Sequence, residues 1–220
     1  MAWIAMENSI LQQLREDYES APLSEDSVFK NPIEQFEKWF EEAILAKLNE
    51  PNAMTLATSN IDYKPSARMV LLKGIDKDSF IFFTNYDSRK GRELLWNPYA
   101  ALLFFWNQLH RQVRIEGRVI KITAEESDKY FHSRPVGSKL SAFISPQSEV
   151  IESRDWLEKK LLETEKISGG KEIPRPDNWG GYKVIPHSIE FWQGRTNRLH
   201  DRILFTLIDP GQWKLERLAP

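Results

Sequence analysis

The chain of 220 residues contains no cysteine. Disulfide bonds, thiolate metal sites and cysteine nucleophiles are therefore excluded. Long apolar runs are also absent, because the longest, YAALLFFW at residues 99–106, is far too short to cross a bilayer. The N-terminus lacks the basic start and the apolar stretch of a signal peptide. We therefore expect a cytoplasmic protein.

Several motifs that announce a ligand or a reaction are missing as well. Neither G-x-G-x-x-G nor G-x-x-x-x-G-K-[ST] occurs, so side chains would have to hold any bound phosphate. The absence of G-x-S-x-G excludes the nucleophile elbow of α/β-hydrolases. Neither H-x-x-x-H nor H-E-x-x-H spacing is found among the four histidines, which argues against a metal site: His110, His132, His187 and His200.

The net charge is only −2, but its distribution is uneven. Residues 1–50 contain 4 Lys or Arg against 11 Asp or Glu, whereas residues 64–118 contain 10 against 5. The basic segment also has the short, β-rich pattern of strands. A basic sheet in a slightly acidic protein favours a local anionic ligand, since nucleic-acid-binding domains are usually basic throughout.

The periodicity predicts a mainly β protein with helical additions. Many short strands with a few interspersed helices indicate an antiparallel barrel rather than a parallel βαβ sheet. We interpret residues 1–30 as a flexible N-terminal arm and residues 31–220 as a single domain. The predicted strands are 53–59, 66–75, 79–85, 99–106, 111–122, 182–185, 188–194, 202–208 and 212–218. The predicted helices are 31–51, capped by Asn31 and closed by Pro51, then 88–98, capped by Ser88, and 153–167, with a loop at 168–181. A further helix is predicted from TAEE (123–126), which has the form of a capping box, to near HSRP.

Two basic clusters in the first half of the chain could bind an anion. In RMVLLK (68–73), strand alternation places Arg68 and Lys73 on opposite faces. In NYDSRKGREL (85–94), Arg89 and Lys90 occupy the first turn after Ser88, where cations oppose the helix dipole unless an anion binds there. Taken singly, the first cluster is more typical of a strand with charged ends.

Two further clusters lie in the second half. In YFHSRPVGSK (130–139), helical spacing places Tyr130 and Arg134 on one face, with Ser138 after the proline, although an ordinary helix C-terminus explains this as well. In RLHDR (198–202), an extended backbone would place Arg198, His200 and Arg202 on one face. By itself the pentapeptide is typical of a solvated strand end.

Taken together, these motifs resemble the pyridoxine/pyridoxamine 5′-phosphate oxidase family. The resemblance runs in order from about residue 30 to the last residue, through RMVLLK, SRK, RQVRIEG, YFHSRP, PQS, WGGYKVIP, IEFWQG, RLHDR and WKLERLAP. It implies a homodimer of antiparallel, Greek-key split β-barrels with flanking helices and FMN at the subunit interface. It also implies oxidation of pyridoxine or pyridoxamine 5′-phosphate to pyridoxal 5′-phosphate by dioxygen, with release of hydrogen peroxide, and of ammonia from the amine.

The resemblance also implies roles for individual residues. The positions implied to contact FMN are Arg68, Met69, Val70, Leu71, Leu72, Lys73, Phe83, Thr84, Arg89, Lys90, Gln112, Gln147, Ser148, Trp192 and Arg202. Those implied to hold the substrate phosphate are Lys73, Tyr130, Arg134 and Ser138. Arg198 and His200 are implied to face the substrate ring as catalytic residues, and Arg15 and Tyr18 to close over the ligand.

Two other classes of function remain open at this point. A split-barrel flavin reductase of different specificity would keep the FMN positions without needing those implied for the substrate. A non-catalytic protein that carries flavin or pyridoxal phosphate would need no reaction at all. A nucleic-acid-binding barrel is disfavoured by the net charge of −2.

Overall fold

The structure of the protein, a computed structural model, describes Tyr18 and residues 21–169 and 172–220. Within these residues, none of the helices is long and apolar enough to cross a membrane. The strands are β1 (Ala53–Ser59), β2 (Pro65–Leu71), β3 (Gly74–Asp76), β4 (Ser79–Asn85), β5 (Tyr99–Trp106), β6 (Arg111–Lys121), β7 (Trp179–Gln193), β8 (Asp201–Asp209) and β9 (Gln212–Arg217). The α-helices are α1 (Pro32–Leu45), α2 (Arg89–Trp96), α3 (Ala124–Ser133), α4 (Val136–Ile144) and α5 (Arg154–Ser168).

The strands form one antiparallel sheet in the order β2-β1-β5-β6-β7-β4-β3, with β8 on β7 and β9 on β8. Leu72 and Lys73 join β2 to β3, and their N–H groups donate to the carbonyl oxygens of Asn52 and Ile81, each at 2.8 Å. This junction links the two ends of the strand order, so the sheet curls into a barrel. The expected antiparallel split barrel with flanking helices is confirmed.

The core lies inside the barrel and is closed on one side by α1. Asn31 begins this helix by accepting a hydrogen bond from the N–H of Ile33, as predicted. Phe36 of α1 is fully buried, and its ring meets Phe80 and Phe104 edge-on, with ring centroids 4.9 Å apart in both pairs. The edge-to-face geometry adds to the gain from burying three large rings.

The prediction that α1 ends at Pro51 is wrong, because the helix stops at Leu45. Lys47 adopts a left-handed conformation (φ 55°), and its N–H donates to Ile44 while that of Leu48 donates to Ala43. These two bonds are the pattern that closes helices with a left-handed residue. Glycine usually takes that position, so a lysine gave no signal in the sequence.

The two strands predicted at 182–185 and 188–194 are a single long strand, β7. Pro186 does not break it, because the register against β6 shifts between Glu116 and Gly117, where Gly117 pairs with Pro186 and Glu116 with Ser188. A bulge is one of the places in a sheet where proline is tolerated. The predicted loop at 168–181 is correspondingly shorter.

No local pattern predicted α4, which follows Pro135 directly and has no side-chain cap. Its neighbour α3 begins with the predicted capping box at Thr123 but ends at Ser133. Arg134 is extended, so the prediction that helical spacing aligns it with Tyr130 is wrong, although both side chains reach the same cavity.

The predicted alternation of RLHDR is also wrong. Residues Thr196–Arg198 form a short 3-10 turn, Asn197 and Arg198 have left-handed backbones, and β8 begins only at Asp201. Arg198 is exposed, whereas His200 and Arg202 are half-buried. Strand parity therefore does not relate these three side chains to one another.

Residues 21–30, inside the predicted arm, include one buried anchor. The N–H of Leu23 donates to Asp201 at 3.1 Å, and its carbonyl oxygen accepts from Arg217 at 3.0 Å. Arg217 is also paired with Glu25 at 2.7 Å. The division of the chain at residue 30 stays a prediction.

Candidate functional site

A cavity of about 650 Å³ lies beside β2, β4 and the start of α2. Its volume is in the range of small-molecule and cofactor sites. It is lined by the following residues: Ser66, Ala67, Arg68, Met69, Val70, Leu71, Lys73, Phe83, Thr84, Arg89, Lys90, Tyr130, Arg134, Gln147, Ser148 and Trp179. We call it the cationic cavity, because five of these residues carry a positive charge and, among the residues described, none of the lining is acidic.

The local sequence explains how two of the cations reach the cavity. Ser88 begins α2 by donating to the carbonyl oxygen of Asn85 and accepting from the N–H of Gly91. A Cβ at Gly91 would overlap the carbonyl group of Tyr86, so only glycine allows the helix to start this close to β4. Arg89 and Lys90 are thereby held at the cavity in the predicted first turn.

Lys90 is buried, yet it has no acid paired with it among the described residues. Its Nζ donates to Thr84 and Gln147, both at 3.1 Å, and to Ser88 at 3.3 Å. Burial, together with the nearby charge of Arg68, lowers the pKa of Lys90 to about 8. At neutral pH the ammonium is still charged and is available to an anion.

The guanidinium of Arg68 is fixed from several sides. Its Nη1 donates to the hydroxyl of Thr58 at 2.5 Å and to the carbonyl oxygen of Leu56 at 3.1 Å, and its Nη2 donates to Ser66 and to Glu93. Glu93, which does not line the cavity, is buried beneath it.

Flat rings form another wall of the cavity. Phe83 and Tyr130 stack with centroids 3.8 Å apart, and Trp179 lies nearly parallel to both rings. The guanidinium of Arg134 lies 4.5 Å from the centre of the Trp179 ring. Its Nη1 is buried without a hydrogen-bond partner, and burial lowers the pKa of Arg134 while leaving it a cation at neutral pH. A buried donor without an acceptor is costly, so this atom fits an anionic ligand.

A second group of predicted residues lies on the outside of the barrel. Gln112, Trp192 and Arg202 are direct cross-strand partners on β6, β7 and β8. We call these three residues the outer row. Arg202 donates to the buried carboxylate of Glu190 at 2.7 Å and to the carbonyl oxygen of Ala219 at 2.7 Å. Arg202 therefore has a fixed direction and a neutralising partner.

His200 and Tyr18 border this row. The His200 ring lies 4.7 Å from that of Trp192 and 5.9 Å from that of Tyr18, centroid to centroid. The backbone N–H of Arg195 donates to His200 Nδ1 at 3.1 Å. Burial, with a contribution from the charge of Arg198, lowers the pKa of His200. The ring is therefore mostly neutral at pH 7.

The structure thus divides the predicted site residues into two groups. The cationic cavity brings together Arg68, Met69, Val70, Leu71, Lys73, Phe83, Thr84, Arg89, Lys90, Tyr130, Arg134, Gln147 and Ser148. Its lining does not include Leu72, Gln112, Ser138, Trp192, Arg198, His200 or Arg202. The side chain of Leu72 is buried in the core. Arg15 lies outside the described residues.

Sequence reasoning missed three lining residues, Ser66, Ala67 and Trp179, and it also missed Glu93, which lies beneath the cavity. Trp179 was placed in a loop, although its motif, WGGYKVIP, belonged to the resemblance. Ser66 was part of a predicted strand, with nothing to single it out. Glu93 lies four residues after Arg89 and is paired with it, a helical spacing that could have been noticed.

Known protein families match this chain over most of its length. Residues 40–168 match the model of the pyridoxamine 5′-phosphate oxidase family, and residues 179–220 match the pyridoxine 5′-phosphate oxidase C-terminal dimerisation region. Among solved structures, PhzG from Burkholderia lata in complex with tetrahydrophenazine-1-carboxylic acid is 32% identical, with a TM-score of 0.85 over 91% of this chain and 99% of that chain.

Curated relatives are more similar still. A pyridoxine/pyridoxamine 5′-phosphate oxidase from Trichormus variabilis is 56% identical over 96% of this chain and 98% of its own length. One from Acaryochloris marina is 54% identical over the whole of both chains. With two family models covering most of the chain and relatives of this similarity, the chain belongs to the pyridoxine/pyridoxamine 5′-phosphate oxidase family.

Proposed function

We propose that this protein oxidises pyridoxine 5′-phosphate and pyridoxamine 5′-phosphate to pyridoxal 5′-phosphate, with FMN as cofactor and dioxygen as the final electron acceptor. The alcohol reaction releases hydrogen peroxide, and the amine reaction consumes water and releases ammonia as well. The cationic cavity carries the proposal: it has five cations, none of its described lining is acidic, and one buried guanidinium N–H lacks an acceptor.

The residues present fit a cofactor that carries a phosphate. Arg68, Arg89 and Lys90 would hold the FMN phosphate, since charge-assisted hydrogen bonds to phosphate are the strongest that side chains make. Thr84 and Gln147 are already hydrogen-bonded to Lys90 and add neutral donors and acceptors. When bound, FMN supplies the acceptor for the two electrons and the hydrogen removed from the substrate, and it passes the electrons to dioxygen.

The substrate phosphate would be held by Lys73, Tyr130 and Arg134. Arg134 is stacked on Trp179, so its unpartnered Nη1 has a fixed direction. A planar guanidinium suits this task better than an ammonium would, because it donates in pairs. The role of Ser138 rests on the family resemblance, since it does not line the cavity.

His200 would act on the substrate as a hydrogen-bond donor. Because Nδ1 accepts from the N–H of Arg195, the neutral ring carries its proton on Nε2. The Nε2–H can donate a hydrogen bond to the 4′ oxygen or nitrogen of the substrate, and this hydrogen bond holds the reacting carbon in place. Arg198 would cover the open face of the pyridine ring.

The division of site residues supports a homodimer. The cavity gathers the phosphate-binding side chains, whereas the outer row and His200 lie apart from its lining. We infer that the cavity of one subunit is completed by the outer row of its partner. The match of residues 179–220 to a dimerisation region supports the same assembly, because this segment includes Trp192 and Arg202. A cytoplasmic location remains a prediction.

Anaerobic reduction of the purified protein tests the proposal. We expect a yellow protein with one FMN per chain, bleached by pyridoxine 5′-phosphate under nitrogen and reoxidised by air with release of hydrogen peroxide. A flavin that is bound but not bleached would instead identify a reductase of other specificity. Binding of flavin or pyridoxal phosphate with no turnover would identify a carrier. Light scattering that finds an active, FMN-loaded monomer would overturn the shared site.

A further inference from the structure

Glu93 is a buried acid directly beneath a site that is built for anions. Its side chain is only 5% exposed. Oε2 accepts hydrogen bonds from Thr58 at 2.5 Å, from Ser66 at 2.6 Å and from Arg68 at 3.2 Å, while Oε1 accepts from the Nε of Arg89 at 2.9 Å. One carboxylate thus receives four donors from three separate elements, namely β1, β2 and α2.

These contacts keep the acid ionised. Although burial opposes the charge, the four hydrogen bonds together lower the pKa of Glu93 to about 2. A full negative charge therefore lies behind the two arginines that would hold the cofactor phosphate. By Coulomb's law alone, such a charge weakens the binding of any anion in the cavity. Its presence needs another explanation.

The geometry of the two arginines supplies one. Arg68 comes from β2 and Arg89 from α2, and Glu93 is the group that both of them contact. The side chain of Arg89 is 60% exposed, so little else limits its rotation. Long cationic side chains lose considerable rotamer entropy when a ligand fixes them. A carboxylate that fixes both in advance removes that cost from the binding step.

We propose that Glu93 is a positioning residue for the cofactor phosphate: it aligns Arg68 and Arg89 toward the cavity before the phosphate arrives. The inference rests on the proposed function, because it takes FMN as the ligand. Arg68 and Arg89 contact the phosphate, and Glu93 acts through them. The gain in alignment exceeds the Coulombic opposition of its charge.

The direction in which FMN affinity changes when Glu93 is replaced separates this proposal from its alternatives. FMN is titrated into the apoprotein, and binding is followed by quenching of flavin fluorescence. Glu93→Gln keeps the size of the side chain but cannot accept from all four donors, so we expect FMN to bind about tenfold more weakly, equal to about 1.4 kcal/mol. Tighter binding would show that Coulombic repulsion dominates. Unchanged binding with a lower unfolding temperature would show a purely structural role. Either result overturns the proposal.

A double-mutant cycle tests whether Glu93 acts through Arg89. Arg89→Gln removes a largely exposed side chain, so the fold should tolerate it. If Glu93 works by aligning Arg89, the loss of FMN affinity in the double variant should be clearly smaller than the product of the two single losses. Fully multiplicative losses would mean that Glu93 and Arg89 act independently, against the proposal.

Thr58→Val keeps every charge, and it tests the same proposal if Glu93→Gln does not fold. It removes a hydroxyl that bonds to both Glu93 and Arg68, and we expect FMN to bind only about threefold more weakly, because both charged groups keep their other hydrogen bonds. An unchanged dissociation constant would contradict the proposal.

Glu42→Gln is the matched control. It removes a half-buried carboxylate that pairs with Arg111 and does not line the cationic cavity, so FMN affinity should not change. The wild-type titration separates two kinds of failure. A wild-type apoprotein that does not bind FMN would refute the proposed function, whereas binding by wild type and an equal affinity in Glu93→Gln would refute only the role of Glu93.

Discussion

Beneath the cationic cavity, one buried carboxylate holds two of its arginines, and three further cations of the lining have no ion-paired acid among the described residues: Lys73, Lys90 and Arg134. Beside the outer row, a buried carboxylate also holds two arginines, so Arg202, the cation of that row, has an acidic partner. Glu190 accepts from Arg114 at 2.5 Å and from Arg202 at 2.7 Å, and the carbonyl oxygen of Ala219 takes another N–H of Arg202.

The two regions therefore suit different parts of a ligand. The cavity has surplus positive charge, which gives affinity for phosphate. The outer row has a neutralised arginine of fixed direction beside the flat ring of Trp192, which suits the edge and face of an aromatic ring system. A site assembled from both regions would bind mainly through the first and orient mainly through the second.

Removing two cations from the cavity should have the largest effect. Arg89→Ala combined with Lys90→Ala deletes two charge-assisted hydrogen bonds, each worth about 1.5–3 kcal/mol, so FMN should bind at least about 10²-fold more weakly and be lost on gel filtration. Absorbance of the eluted protein measures this directly. A yellow double variant would show that the surplus charge is not what binds the flavin.

Changes beside the outer row should spare the cofactor and affect the reaction. His200→Ala should keep its yellow colour but slow flavin reduction by about tenfold in stopped-flow experiments under nitrogen, because a hydrogen-bond donor to the substrate is lost. General-base loss typically costs about 10²–10⁴-fold. A loss of that size would show that His200 takes up a proton, against the tautomer set by its bond to Arg195.

The pH dependence of FMN binding should come from the cavity. The pKa of Lys90 is lowered from 10.5 to about 8, so its charge is present below pH 8 and is lost above it. FMN should therefore bind up to about tenfold more weakly at pH 9 than at pH 7. In Lys90→Arg, which stays charged, FMN affinity should not change between pH 7 and pH 9.

The stability of the apoprotein should change in the opposite direction to FMN affinity. It should rise from about pH 8 toward 10.5, because the unfolded chain then binds more protons at Lys90 than the folded chain does.

The smallest effect should come from Glu190→Gln. Arg202 keeps its bond to Ala219, so the guanidinium stays roughly in place. We expect FMN to dissociate about threefold faster, which is a smaller effect than the tenfold loss of FMN affinity expected for Glu93→Gln. If Glu190→Gln weakened FMN binding more than Glu93→Gln did, the outer row and not the cavity would contribute more to FMN affinity.

Much of the fold could be predicted because local signals agreed with the final structure. β1, β4 and β5 have the predicted bounds, since short, β-rich segments were enclosed by turn residues. α2 and α3 begin at the capping residues that the sequence offered. The errors occurred where tertiary packing overrides such signals. Lys47 takes a glycine-like conformation, and Pro186 lies at a bulge inside a strand.

The candidate site was less accessible to sequence reasoning. Periodicity predicted that Arg68 and Lys73 lie on a strand and that Arg89 and Lys90 lie at the start of a helix. It could not predict that these elements border one cavity. That proximity depends on the junction of β2 and β3, which no local pattern specifies. The set of candidate residues came from the family resemblance, and the division into cavity and outer row became visible only in three dimensions.

The junction at Leu72 and Lys73 also has a consequence for how the protein folds. The cavity is incomplete until β4, which this junction places beside β2, pairs with β7, because Phe83, Thr84 and Trp179 of these strands line it. That pairing joins Phe80 to Val184 across much of the chain. Such distant pairings form slowly, because the intervening chain must first lose its entropy. Flavin cannot bind before that step. During refolding, quenching of flavin fluorescence would therefore report completion of the barrel, and excess flavin would slow global unfolding of chains that had reached it.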